Sequence, residues 1–130
     1  MTERDTLNRI TDIIIGAAIE VHRALGPGLL ESAYESCMVF EIVDRHCLKV
    51  EQQKPLQMIY RGVSLDCGYR LDLLVSDLVI VELKSVDKIL PIHEAQMLSY
   101  LKLSGCKVGL LINFNVKVLK DGIKRVVNKY

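Results

Sequence analysis

Leu7, Ile10, Ile14, Ala17, Val21 and Ala24 recur at steps of three and four residues, the spacing that gathers apolar side chains on one face of an α-helix. The pattern predicts an amphipathic helix over roughly residues 6 to 25, capped by Asp5 or Thr6. Gly26-Pro27-Gly28 ends it, and a second helix is expected from about Leu30 to His46, with Leu30, Ala33, Cys37, Phe40 and Ile42 or Val43 buried. From Leu48 the period shortens. Lys49–Gln53, Leu56–Tyr60, Gly68–Val75 and Leu78–Lys84 read as meandering, mostly antiparallel strands, separated by Pro55, Arg61-Gly62 and Ser76-Asp77. A third helix should start at Pro91, whose missing amide hydrogen costs nothing in a first turn, and stop at Gly105. Val108–Phe114 is a buried strand, and Val116–Leu119, the Asp121-Gly122 turn signal and Ile123–Val127 read as a terminal hairpin. The order ααββββαβββ points to an α/β fold, a mixed sheet with helices packed on it.

The chemistry concentrates in Arg70-Leu-Asp72-Leu-Leu-Val-Ser-Asp-Leu-Val-Ile-Val-Glu82-Leu-Lys84. Side chains alternate between faces along a strand, so Leu71, Leu73, Val75, Val79, Val81 and Leu83 form a core face, and Asp72, Leu74, Ile80, Glu82 and Lys84 share the other. A loop with an odd number of residues centred on Asp77 sets Asp72 opposite Glu82, whereas an even loop parts them. Two carboxylates at cross-strand distance repel each other and gain from a shared divalent cation, magnesium or manganese by ligand type. Lys84 could hold a scissile phosphate, orient an attacking water or offset charge in a transition state. An edge-strand ion pair of Glu82 with Lys84 is the bland alternative.

The 130 residues are one domain's worth, half hydrophobic and a quarter charged, which excludes a disordered or fibrous chain. The net charge of +1 hides an asymmetry. Residues 1–83 hold 8 basic and 13 acidic side chains, a net of −5, while residues 84–130 hold 9 and 3, a net of +6. That imbalance suggests a polyanion-facing side. Lys88, Lys102, Lys107, Lys117, Lys120, Lys124 and Arg125 supply it, with Lys88, Lys102, Lys124 and Arg125 the candidate phosphate contacts. With no Trp, five Tyr and two Phe, the chain lacks the aromatics of an extended stacking platform, so recognition should be backbone-directed. Cys37, Cys47, Cys67 and Cys106 lack close metal-ligand spacing and read as reduced, mostly buried thiols. The charged start and a longest apolar run of seven residues, Ile13–Ile19, suggest a cytoplasmic protein without a membrane span.

Asp72 followed by Glu82-Leu83-Lys84 at the end of a hydrophobic strand resembles the signature of the PD-(D/E)xK nuclease superfamily, with Leu71 in the proline position. Gly28-Leu-Leu-Glu31-Ser-Ala-Tyr34 matches the motif that names its GxxExxY family, and Gln96-Met-Leu-Ser-Tyr100 resembles the QxxxY helix motif of exonuclease-like members. The resemblance runs from about Ile14 to Val127. It implies a single restriction-endonuclease-like domain spanning residues 1–130 that hydrolyses phosphodiesters in DNA with Mg²⁺, or Mn²⁺ as substitute. It further implies metal ligation by Asp72, Glu82 and the Leu83 carbonyl, with Glu31 as the helical glutamate and Glu20 as second choice. Lys84 takes the catalytic lysine's role, and Gln96 and Tyr100 face the metal and the strand. Tyr34 reads as packing, His93 as a phosphate contact or a surface residue, and His22 and His46 as structural. RNA is a weaker substrate reading, and the small size is compatible with a homodimer across DNA. A different class of function also fits, a catalytically silent nuclease-fold module that binds nucleic acid or a protein partner.

Overall fold

In a computed structural model that describes residues 1–128, a five-stranded mixed sheet lies between helices. Helix α1 (Glu3–Leu25) begins earlier than expected, because Thr2 caps it by accepting from the Asp5 amide while Asp5 answers to the Thr2 amide. Its buried face is Leu7, Ile10, Ile14, Ala17, Ala18 and Val21, with Ala24 exposed. Gly26, at φ 70°, ends the helix.

The second helical segment departs from the expectation twice. It is α-helical only over Glu31–Val39 (α2) and continues as a π-helical turn, Phe40–Arg45. Its buried stripe is Tyr34, Met38 and Ile42, while Leu30 is 77% and Phe40 54% exposed. An apolar count cannot choose between adjacent faces here. Tyr34 decides it: its ring stacks on Phe114 with centroids 4.2 Å apart, and its hydroxyl donates to the Gly26 carbonyl and accepts from the Leu29 amide. The face that carries this ring must turn inward.

Strands β1 (Val50–Pro55), β4 (Arg70–Val75), β5 (Val79–Lys84), β6 (Val108–Asn113) and β7 (Ile123–Val127) lie side by side in the order β1-β4-β5-β6-β7. All neighbours are antiparallel except β5 and β6. That parallel pair requires a crossover, supplied by α3 (Pro91–Ser104), which Gly105 stops at φ 81°. Between β1 and β4, Met58–Tyr60 (β2) and Val63–Leu65 (β3) form a separate hairpin, of which only the first strand was legible in the sequence. The terminal hairpin is absent: residues 116–118 are not a strand, Leu119–Gly122 is a 3₁₀ turn, and β7 pairs with β6 instead. Val116 and Leu119 pack into the core, so this stretch wraps the sheet rather than extending it.

Alternation along the central strands sorts side chains onto two helical layers. Leu73, Val75, Val79, Val81, Leu83, Leu110 and Ile112 meet α1 and α2, and Leu74, Ile80 and Leu111 meet Met97, Tyr100 and Leu101 of α3. Burial on both faces explains why β5 and β6 read as continuous apolar runs. Leu71 corrects the expected core face, since it joins the α3 side. The β4–β5 pairing ends at Leu73↔Val81, and the opposing strand β1 carries Gln53 at φ 49°, so the start of β4 turns away from the regular alternation. The cysteines are also corrected: Cys47 and Cys67 are exposed, and Cys37 and Cys106 only half-buried.

Phe114→Ala is expected to lower stability by about 3–5 kcal/mol, because its ring is fully enclosed against Tyr34. Leu30→Ala should stay within about 0.5 kcal/mol. Urea denaturation of the two variants checks which face of α2 is buried.

Candidate active site

The turn between β4 and β5 settles the register. Val75 pairs with Val79, leaving three residues centred on Asp77. Ser76 and Asp77 both take positive φ, and the Leu78 amide donates to the Val75 carbonyl. Lys49 ties the turn to β1, its ammonium 3.0 Å from Asp77 and its carbonyl accepting from the Ser76 amide. The odd loop therefore carries Asp72 to the position opposite Glu82, one step beyond the last pair of the ladder.

There the backbone ladder gives way to side chains. The Asp72 amide donates to Glu82 Oε2 at 2.8 Å, and the Leu83 amide donates to Asp72 Oδ2 at 2.9 Å. Each carboxylate thus occupies a backbone donor that the open strand pair would otherwise leave unmet. Glu82 is only 7% exposed. Burial first, and then the charge of Asp72, push its carboxyl up to about 8, while Asp72's amide bond and nearby Lys84 pull the other way. Lys84 ends β5 half-buried on the same face.

The motif Gly28…Glu31…Tyr34 fastens the end of β5 from the other side. The Ser85 amide donates to Glu31 Oε2 at 3.1 Å, and the Ser85 hydroxyl donates to the Leu29 carbonyl at 2.7 Å. Gly28, at φ 98°, and the Tyr34 hydroxyl hold the loop that makes this contact. The segment after Lys84 is further clamped by Asn113, whose amide group accepts from the Val86 amide and donates to the Val86 carbonyl. Asn113 and Ser85 carried no signal in the sequence beyond lying at strand ends. Neither did Glu35, which accepts from the side chains of Gln52 and Gln53, the latter also standing 3.4 Å from Asp72 Oδ1. Glu35 lies four residues after Glu31, so its helix face was the available clue.

The structure brings Lys84, Gln96 and Tyr100 to one cleft, which His93 also lines. Burial raises the Tyr100 phenol above its ordinary value, and the charges of Glu82 and Asp72 add to the rise. His93 caps α3, its Nδ1 accepting from the Leu90 amide. Glu20 lies apart, exposed and paired with Arg23 at 3.0 Å. His22 bonds the Val116 carbonyl, and His46 closes the π-helical turn.

The cations do not form one stripe. Lys88 and Lys102 are exposed, and Lys124 lies 3.7 Å from Glu94 on α3. Arg125 points to the opposite layer, donating to Thr11 and Asn8 of α1, because adjacent residues of β7 face opposite ways. Among the described residues, no three His, Cys, Asp or Glu side chains converge as a ready-made metal cage, and no helix is long and apolar enough to cross a membrane.

A family model described as the PD-(D/E)XK nuclease superfamily matches residues 8–126. The chain belongs to this superfamily. No match was found among curated proteins or among solved structures. The mixed sheet and its flanking helices have the restriction-endonuclease-like architecture of PD-(D/E)XK nucleases, hydrolases that generally use divalent metals.

The raised Glu82 carboxyl gives the metal-free protein a pH signature. Its folded value near 8 exceeds the ordinary 4.5 of an unfolded chain. Glu82 therefore favours folding fully below the unfolded value, and this contribution is lost as pH rises through about 8. Glu82→Gln, which cannot ionise, should gain in thermal midpoint relative to wild type between pH 5 and pH 8.5 in chelator, at roughly those buffer values. Tyr34→Phe, which removes both bonds to the loop, should cost about 1–3 kcal/mol by urea denaturation.

Proposed function

We propose that the protein is a divalent-metal-dependent nuclease of the GxxExxY branch that hydrolyses phosphodiester bonds in DNA. The observation that carries this reading is the pairing of Asp72 with Glu82 across the opened end of β4 and β5, with Lys84 following on the same face. A carboxyl raised first by burial and then by its neighbour's charge fits a divalent cation, which would offset both. The donors are all oxygens, which suits Mg²⁺, with Mn²⁺ as substitute.

Asp72, Glu82 and the Leu83 carbonyl would hold the ion, with Glu31 at the start of α2 approaching from beside Ser85. When bound, the ion supplies positive charge at the phosphate and acidifies the attacking water. Asp72 and Glu82 each accept an amide through one oxygen and have a second oxygen to offer the ion, and Glu82 must lose its proton, so ion binding strengthens as pH rises. Lys84 places a cation against a non-bridging phosphate oxygen and offsets the charge that builds there. Gln96 and Tyr100 contribute an amide and a phenol from one face of α3, where they hold the strand in register with Lys84. Lys88, Lys102 and Lys124 attract the flanking phosphates. Arg125 contributes to the field rather than to contact, given its bonds to α1. We place the enzyme in the cytoplasm, as a homodimer.

Purified protein should cut DNA in Mg²⁺ or Mn²⁺ and stop when the ion is chelated. Glu82→Ala and Lys84→Ala should each slow cutting by about 100-fold or more while remaining folded. Manganese at about 100 times its Kd should stabilise wild type by roughly 2.7 kcal/mol and leave Glu82→Ala unmoved. Cutting that survives both substitutions would overturn the assignment.

A further inference from the structure

The cleft beside Lys84 has a lining that contact with phosphates alone does not require. Its volume is about 590 Å³, within the roughly 300–1,000 Å³ of small-molecule sites. Tyr69 and Ile92 give it apolar walls, and Gln96, Ser99 and His93 stand among them, with Lys84, two residues after Glu82 on β5, also in the lining. A sugar-phosphate chain calls for cations and water. An aromatic wall with an amide, a hydroxyl and an imidazole suits a nucleobase.

Tyr69 is built into place. The Gly68 amide donates to Asp66 Oδ1, Gly68 takes φ 79°, and the Tyr69 carbonyl accepts from the Leu56 amide. Its ring stands edge-on to Tyr100, with centroids 5.9 Å apart at 61°, yet the residue remains 40% exposed. Tyr100 thus steadies the ring while leaving surface free to stack. The polar groups are suited to the edge of a base. His93 Nδ1 is occupied by the Leu90 amide, so in the neutral ring Nε2 carries the hydrogen and donates, and Gln96 offers both a donor and an acceptor.

A phosphate held at Lys84 has its own nucleotide within reach of this cleft, because Lys84 belongs to both. A base inside a duplex is stacked and paired, and it cannot enter without being extruded. We infer that the cleft receives one unpaired nucleobase of the strand being cut, stacked on Tyr69, so that the substrate is single-stranded DNA or an unpaired DNA end. The inference rests on the nuclease reading above. One ring beside one lysine serves one base, which agrees with a chain too poor in aromatics for an extended platform.

The test uses an oligonucleotide carrying 2-aminopurine, as a single strand and as a blunt duplex, in calcium, a hard cation that takes the same oxygen ligands. Wild type should bind the single strand more tightly and change its 2-aminopurine emission. Tyr69→Ala should abolish that change and weaken single-strand binding about tenfold, with duplex binding unchanged. Tyr69→Phe should restore both, and Tyr69→Leu, which keeps apolar bulk for folding, should behave as Ala does. Equal binding of blunt duplex and single strand, or an emission change that persists in Tyr69→Ala and Tyr69→Leu, would overturn the inference. Cleavage in magnesium separates the two readings. A wild type that cuts blunt duplex through Lys84 and is indifferent to Tyr69 loses this inference and keeps the nuclease, whereas cutting indifferent to Lys84→Ala removes the nuclease reading itself.

Discussion

At Asp72 and Glu82 two strands stop bonding to each other and bond to each other's side chains instead. An open strand pair inside a protein leaves amide donors that must find acceptors. Here the acceptors are carboxyl groups, and burial first and then the charge of Asp72 disfavour a charge on Glu82, which is why it is pushed up to about 8. The same arrangement thus ends the ladder, satisfies the backbone and creates a demand for positive charge. Structure and chemistry at this point cannot be separated, since an apolar residue at either position would leave an amide unmet.

The surroundings hold this opening in place. On one side β5 continues to pair with β6 as far as Lys84↔Asn113, so the strand carrying Glu82 and Lys84 stays straight after β4 has left it. Asn113 and Glu31 then take the amides that follow Lys84. On the other side Gln53 leaves regular strand geometry opposite Asp72 and links it to Glu35. The Gly28…Glu31…Tyr34 motif acts through this framework: Tyr34 fixes a loop, the loop accepts from Ser85, and Ser85 follows the lysine. Its residues do their observed work as fasteners of the strand end, which accounts for a tyrosine that is wholly buried.

Much of this was legible from local pattern. Asp72, Glu82 and Lys84 stood out because charges interrupt apolar alternation, and the Pro91 and Gly105 boundaries of α3 follow from the backbone limits of those two residues. The alternation also separated the residues facing α1 from those facing α3, with Leu71 as the exception. The inward face of the second helix was misread because Leu30 and Phe40 look as apolar as Met38 and Ile42, and only the ring of Phe114, far along the chain, selects between them. The terminal hairpin was misread for a related reason. Val116–Leu119 and Ile123–Val127 have strand composition, but β6 offers the second segment an edge and the first has none.

The sequence by itself determined the residue types and their periods: which stretches are helix or strand, where glycine and proline stop them, and that Glu82 and Lys84 share one face of their strand. These are local properties, set by side-chain alternation and backbone limits within a few residues. Only the tertiary structure decided whether Asp72 and Glu82 meet, because a three-residue loop does so and a two-residue loop does not. It alone brought Gln96 and Tyr100 to Lys84, set Tyr69 beside them, and sent Arg125 to the opposite layer from Lys124. Those placements depend on crossovers and packing between segments distant in the chain, and side-chain spacing along a single element carries no information about them.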